Sequence, residues 1–139
     1  IMPVFNAYVP ANKFTKEQKK ALADAFVLAL HDALNAPADD QFVVIHELSE
    51  DNLYIHPTFP NMNRTDKRMI VTVDVSTTRS LDEKRKLTEL VTKYAVEKVG
   101  IGQDDIALLI YALPLEDMSF GRGLLMPDDA EAMQKRTRQ

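Results

Sequence analysis

The chain of 139 residues contains no cysteine, no tryptophan and only four glycines. Without cysteine it forms no disulfide and offers no thiolate nucleophile or thiolate metal ligand, which suits a reducing compartment. None of the glycines opens a helix after a strand, so the glycine-rich phosphate loops of nucleotide-binding proteins are missing. No apolar run reaches the roughly 18 residues of a membrane span, and the first residues do not read as a signal peptide. We therefore expect a cytoplasmic protein.

Charge argues against two classes of partner. Against 17 lysines and arginines stand 21 aspartates and glutamates, a formal net charge of −4. An acidic chain has no general affinity for nucleic acid phosphates, so we expect neither a nucleic acid partner nor a membrane partner. The length fits one domain over residues 1–139.

An internal repeat organises the sequence. Segment 3–48 matches segment 69–113 at an offset of 66 residues, which falls to 65 towards the end. Each copy starts with a run rich in strand-forming residues, then shows helical spacing of apolar residues, and closes with a second strand-like run. Each copy is therefore predicted to be one βαβ unit. Between them lies the loop 49–67, and segment 114–139 follows the second copy.

Both predicted helices start with the same signal. Thr15 precedes Gln18 by three residues, and Ser80 precedes Glu83 by three, so each pair fits a capping box. The strands of a βαβ unit are parallel and their crossover is right-handed, so two units predict four strands with both helices on one face. The nearly continuous apolar run 106–113 indicates a strand buried on both sides. We therefore expect other copies of the chain to cover the bare face, in a cyclic homo-oligomer.

Pro3, directly behind Met2, heads the first predicted strand. A proline is tolerated there for purely structural reasons. With the preceding residues removed, however, Pro3 carries a secondary amine, a reagent that no side chain supplies. A free α-amino group titrates near about 7.7–8.0, and burial lowers that pKa while a nearby carboxylate raises it. The surroundings therefore decide whether such an amine is a base or an acid, and the sequence leaves both open.

This chemistry depends on processing. Ile1 and Met2 precede Pro3, and while they are attached the Pro3 nitrogen belongs to an amide that has neither basicity nor a proton to give. We expect Met2 to be the initiating residue, which is removed before a small residue such as proline, and Ile1 to be extraneous.

Four sequence features occur in a fixed order: Pro3, the turn 36–40, the stretch 77–80 and the run Ser119–Gly123. With the two βαβ units, this set resembles the tautomerase superfamily and, within it, malonate semialdehyde decarboxylase and its homologues. The resemblance extends from Pro3 to about Leu125. It implies a tautomerase-like, two-layer α/β fold with a four-stranded mixed sheet. It also implies a homotrimer that uses its amino-terminal proline as acid or base, without a metal or organic cofactor.

The resemblance also implies roles for individual residues. Asp40 would orient water or hold the substrate carbonyl near the amine, although an aspartate before a strand commonly binds loop amides instead. Arg79 would hold the substrate carboxylate, which a guanidinium can bind through two parallel hydrogen bonds. Thr77 stands where the decarboxylase pattern has a second arginine. Met118 replaces an aromatic residue of the pattern, and with Phe120 it would line an apolar wall of the substrate site.

Three cations, Lys13, Arg64 and Lys67, are candidates for replacing the arginine missing at Thr77. The three histidines share no ligand spacing, so no metal site is predicted. The expected activity is decarboxylation or hydration of a malonate-semialdehyde-like acid, with some tautomerase activity. A keto-enol tautomerase or a haloacrylate dehalogenase is the alternative within the superfamily. A non-catalytic trimeric binding protein is the alternative of another class.

Overall fold

The computed structural model describes residues 3–136, so the predicted removal of Ile1 and Met2 concerns residues outside that range. Both copies of the repeat fold as strand, helix and strand, as predicted. Within the described range, no helix has both the length and the apolar character needed to cross a membrane. The elements in chain order are β1 (Phe5–Pro10), α1 (Lys16–Leu34), β2 (Val43–Leu48), β3 (Met69–Ser76), α2 (Leu81–Val99), β4 (Ile106–Leu113) and α3 (Ala130–Arg136).

Both predicted capping boxes are confirmed. The Thr15 hydroxyl accepts from the Gln18 amide at 3.1 Å, and the Gln18 side chain accepts from the Thr15 amide at 2.9 Å. Ser80 and Glu83 form the same pair of hydrogen bonds at 3.1 and 2.9 Å. These bonds satisfy amides that a helix start otherwise leaves without a partner, so α1 and α2 begin at defined residues.

The four strands form one mixed sheet in the order β2, β1, β3, β4. The pairs β1–β2 and β3–β4 are parallel, whereas the central pair β1–β3 is antiparallel. Both long helices cover one face, which confirms the predicted two-layer arrangement. The Phe5 ring stacks on Phe26 of α1 at a centroid distance of 4.7 Å. The fully buried strand residues on this face are Phe5, Ala7, Val9, Met69, Val71 and Val73.

The antiparallel central pair decides which loops meet. Since β1 runs against β3, the starts of β1 and β2 lie at the same end of the sheet as the last residues of β3 and β4. We call this the Pro3 end and the opposite one the Met69 end. The eight-residue strand β3, at about 3.4 Å per residue, separates the two ends by roughly 25 Å.

The face without helices carries a mixture of apolar and polar side chains. The Tyr8 ring stacks on the His46 ring at 4.5 Å, and His46 Nε2 lies 3.0 Å from Asn6 Oδ1. Leu109 and Tyr111 of β4 are 51% and 52% exposed. This open face therefore presents large apolar groups, and its cover by other copies of the chain stays a prediction.

Asp74, also on the open face, provides a test of electrostatics. It pairs with Tyr111 of β4, and its amide donates to the Val4 carbonyl at 3.2 Å. Burial raises the pKa of its carboxyl above the usual value. A carboxyl whose pKa is higher in the folded state stabilises the fold while it is protonated, below its unfolded-state pKa of about 3.9. This stabilisation is lost as the pH rises through the folded-state pKa. Asp74→Asn should therefore raise the melting temperature at pH 7.

The same substitution should leave the melting temperature at about pH 3 nearly unchanged, since Asp74 is then protonated in both states. Calorimetry of wild type, Asp74→Asn and the exposed control Asp51→Asn at both pH values tests this expectation. A shift of equal size at both pH values, or an equal shift in the control, would contradict it.

Candidate functional site

Pro3 is buried and lies directly before β1. Main-chain hydrogen bonds continue the pairing of β1 almost to Pro3. The Phe5 amide donates to the Phe42 carbonyl at 2.8 Å, and the Asp74 amide donates to the Val4 carbonyl at 3.2 Å. Pro3 therefore has the segment that leads into β2 on one side and the last residues of β3 on the other.

Asp40 belongs to the segment that leads into β2. Its side chain is buried, and its amide donates to the Pro37 carbonyl at 3.1 Å, which closes a turn before the strand. Because β1 and β2 are parallel neighbours, Asp40 and Pro3 lie at the same end of the sheet. The topology therefore assigns Asp40 to the Pro3 end, and its proximity to the Pro3 amine stays a prediction.

The counterpart of Asp40 in the second copy, Asp105, has a different environment. Its two carboxylate oxygens accept from the Thr65 amide at 2.7 Å, the Thr65 hydroxyl at 2.6 Å and the Gly102 amide at 2.7 Å. Asp104 accepts from the Asn63 amide at 2.8 Å. These bonds fix the end of the long loop before β3, so this pair of aspartates occupies a loop-to-strand turn.

Thr77 and Arg79 follow β3 at the Pro3 end. Thr77 is exposed, and the Arg79 amide donates to the Ser76 carbonyl at 3.2 Å. The Arg79 side chain is only 15% exposed, and its Nη1 donates to Glu83 Oε2 at 2.6 Å. A guanidinium has five N–H donors, so this ion pair leaves donors for a second carboxylate.

The segment after β4 returns to the same end of the sheet. The Phe120 ring lies 5.2 Å from the Phe42 ring, at an interplanar angle of 59°. Met118 is buried, and its carbonyl accepts from the Met126 amide at 2.8 Å. Phe120 is thus available as an apolar wall, whereas Met118 packs in the base of a turn and leaves little surface for a ligand.

The tip of this turn carries an exposed cation. Arg122 has a positive φ of 56°, and Gly121 and Gly123 beside it have φ values of 146° and 68°, which favour glycine. The Arg122 guanidinium, 64% exposed, lies 3.2 Å from Asp129 Oδ1. Asp129 also accepts from the Ala132 amide at 3.1 Å. The ion pair therefore ties the turn to the start of α3.

Comparison with known proteins settles the family. Family models described as tautomerase enzymes match residues 3–62 and 40–121. The chain belongs to the tautomerase family. The probable tautomerase YrdN of Bacillus subtilis (strain 168) is 29% identical to this chain over 104 residues, which cover 75% of this chain and 80% of YrdN.

Solved structures agree with the fold of this chain. A malonate semialdehyde decarboxylase, described in wild-type, mutant and inactivated forms, superposes with a TM-score of 0.80 at 26% identity, over 87% of this chain and 92% of that one. A wild-type fused 4-OT symmetric trimer superposes with a TM-score of 0.75 at 18% identity, over 90% of this chain and 97% of that one. The predicted superfamily and the tautomerase-like fold are confirmed.

The three cations that could replace the missing arginine lie elsewhere in this chain. Lys13 Nζ pairs with Asp66 Oδ2 at 3.1 Å, and Lys67 Nζ lies 5.7 Å from the centroid of the Phe14 ring. Arg64 is held in the long loop that precedes β3, where its side chain donates to main-chain carbonyls. All three belong to the Met69 end, so within one chain none of them approaches Thr77.

A cavity of about 420 Å³ also lies at the Met69 end rather than at the Pro3 end. Met69 takes the place of Pro3 in the second copy, but its nitrogen is a peptide N–H that donates to the Asp105 carbonyl at 2.8 Å. The cavity therefore lacks the reactive amine that Pro3 would provide. It is lined by Pro10, Ala11, Asn12, Lys13, Leu48, Ser49, Glu50, Leu53, Ile55, Asp66 and Arg68.

Two residues at the Pro3 end were not recognised as site residues from the sequence. Glu83 was assigned only to the helix cap, although its i,i+4 spacing from Arg79 favours an ion pair. No local pattern predicts the contact of Phe42 with Phe120. Among residues 3–136, no group of three histidine, aspartate or glutamate side chains is arranged to hold a metal ion.

Proposed function

We propose that this tautomerase acts on a small oxo carboxylic acid through the α-amino group of Pro3. The reaction that we favour is decarboxylation or hydration of a malonate-semialdehyde-like acid, with keto-enol tautomerisation as a side activity. The observation that carries the proposal is the convergence of three separate segments, those of Pro3, Asp40 and Arg79, at one end of the sheet. The similarity to a malonate semialdehyde decarboxylase supports the choice of substrate class.

The roles follow from charge. Arg79 would hold the substrate carboxylate, and a protonated Pro3 amine would donate a hydrogen bond to the carbonyl oxygen. As the carboxylate leaves as carbon dioxide, the electron pair of the broken carbon–carbon bond moves towards that oxygen, and the ammonium stabilises the enolate. Protonation of the enolate carbon completes the conversion of malonate semialdehyde to acetaldehyde. A neutral amine would instead move a carbon-bound proton, which is tautomerase chemistry.

Asp40 and the aromatic wall would complete this site. A carboxylate at the Asp40 position can orient a water molecule for addition to the carbonyl group, which gives the hydratase reaction. The contact between Phe42 and Phe120 provides an apolar surface. Such a surface limits the access of water, so charges at the site interact more strongly than they do in bulk solvent.

We also propose a homotrimer. The exposed Leu109 and Tyr111 on the open face give the apolar surface that such an assembly would bury. Fused 4-OT chains of similar fold form trimers. A trimer would bring the open faces of three chains together, and it would remove from water the strand that the apolar pattern 106–113 marked as buried on both sides.

A product analysis tests the proposed reaction. Protein whose first residue is Pro3, verified by intact mass, is incubated with malonate semialdehyde and, separately, with an enol pyruvate. Proton NMR is expected to show acetaldehyde from the first substrate at a higher kcat/KM than ketonisation of the second. Ketonisation alone would favour the tautomerase alternative. Absence of turnover with both substrates would contradict the proposal of an enzyme and favour a binding protein.

A further inference from the structure

The ion pair between Arg79 and Glu83 is unusually constrained for a pair near the surface. One oxygen of Glu83 accepts from the Ser80 amide at 2.9 Å, and the other accepts from Arg79 Nη1 at 2.6 Å. The side chains of Arg79 and Glu83 are 15% and 35% exposed. The Glu83 carboxylate is therefore held beside the guanidinium by the same hydrogen bond that caps α2.

Glu83 stays ionised at neutral pH. The hydrogen bond from the Ser80 backbone, followed by that from the Arg79 side chain, lowers the pKa of the Glu83 carboxyl below its usual value. A partly buried pair of charges is also screened less by salt than an exposed pair. A ligand carboxylate that approaches Arg79 therefore meets a fixed negative charge next to the guanidinium.

We propose that Glu83 is a specificity-determining residue, which weakens the binding of dianions at Arg79 and leaves the Pro3 site suited to substrates with a single carboxylate. The inference rests on the proposed assignment of Arg79 to the substrate carboxylate. The charge balance of the site supports it. Asp40 and Glu83 are acidic, Arg79 is basic, the proposed Pro3 ammonium is engaged by the substrate carbonyl, and Thr77 adds no cation, so a second carboxylate on the ligand gains no guanidinium of its own.

The first copy of the repeat indicates that the cap does not need this charge. Gln18 occupies in α1 the position that Glu83 occupies in α2. It forms the same two hydrogen bonds with Thr15, at 2.9 and 3.1 Å. An uncharged amide is thus sufficient for the capping box of this fold. Among the described residues, the guanidinium of Arg79 is the ionic partner of the Glu83 carboxylate.

Glu83→Gln therefore removes the charge and keeps the cap. We expect this variant to bind malonate, a dianion, about tenfold more tightly than wild type does. Its affinity for propionate, a monoanion, should increase by about threefold or less. Titrations followed by NMR on protein with a free Pro3 amine give both dissociation constants. The matched control is Asp82→Asn, in the same helical turn, which pairs with Arg85 at 2.7 Å and is 89% exposed. The control should stay within about twofold of wild type for both probes.

Two results would overturn the inference. The first is a malonate affinity that is unchanged in Glu83→Gln or that increases equally in Asp82→Asn. The second is persistence of the Glu83→Gln effect in an Arg79→Gln background, because the charge would then act without the guanidinium. Loss of the ion pair with Arg79 should lower the melting temperature of Glu83→Gln by no more than a few degrees, whereas loss of the cap as well would lower it further. If Glu83→Gln binds malonate more tightly but the wild-type protein turns over no oxo acid, this inference holds and the proposed function is contradicted. A failure of the inference and a failure of the proposed function are therefore distinguishable.

Discussion

Pro3→Ala is expected to lower kcat at least about tenfold in protein whose chain starts at position 3. Alanine keeps an amine at the first position, but this amine is primary, differs in basicity and rotates more freely than the pyrrolidine nitrogen. The amine therefore no longer has the pKa and the fixed orientation that the proton transfer requires. The oligomeric mass should not change, because the proline nitrogen provides no N–H for the β-ladder.

Intact mass spectrometry must accompany these kinetics, since an attached Ile1–Met2 converts the Pro3 nitrogen to an amide. Protein that retains these two residues should be inactive, with the same oligomeric mass and melting behaviour as the processed form. This comparison distinguishes loss of the Pro3 amine from loss of the folded structure. Equal turnover in processed wild type and processed Pro3→Ala would remove Pro3 from the mechanism.

Arg79→Ala is expected to raise KM and to lower kcat/KM by about 10- to 100-fold, which corresponds to a charge-assisted hydrogen bond of about 1.5–3 kcal/mol. The reason is that Arg79 is the proposed anchor of the substrate carboxylate, and Thr77 supplies no second cation. Steady-state kinetics on malonate semialdehyde provides the measurement.

A matched control for Arg79→Ala is Arg122→Ala, which removes an exposed guanidinium from the turn after β4. The control should retain kcat/KM within about threefold of wild type. If kcat/KM were unchanged in Arg79→Ala, the carboxylate would have to be held elsewhere. A loss of equal size in both variants would point to the total charge of this end rather than to a contact at Arg79.

Local signals were sufficient to predict most of the fold. The capping boxes at Thr15 and Ser80 act through residues three positions away, so their consequences can be read directly from the sequence. The pairing of the two βαβ units involves distant residues, and only the antiparallel contact of β1 with β3 assigns Lys13 and Arg79 to opposite ends of the sheet.

Two side-chain contacts at the Pro3 end could not be predicted from the sequence. The sequence shows Glu83 both as a cap residue and as an i,i+4 partner of Arg79, and nothing local indicates that its two oxygens serve both contacts at once. The contact between Phe42 and Phe120 requires a turn whose path depends on positive φ angles and on the packing of Met118. Such non-local geometry is absent from sequence patterns.

The antiparallel pairing of β1 with β3 relates the two copies by an approximate twofold axis, so the fold has two equivalent corners. The two corners have similar backbones but different chemical groups. At one corner Pro3 precedes the first strand, whereas at the other Met69 is fully buried and its amide donates to the Asp105 carbonyl. The repeat therefore duplicates the βαβ backbone but not the reactive amine. Each chain has one candidate amine for its two βαβ units. The second corner instead holds the long loop, through the hydrogen bonds that Asp104 and Asp105 accept from Asn63 and Thr65.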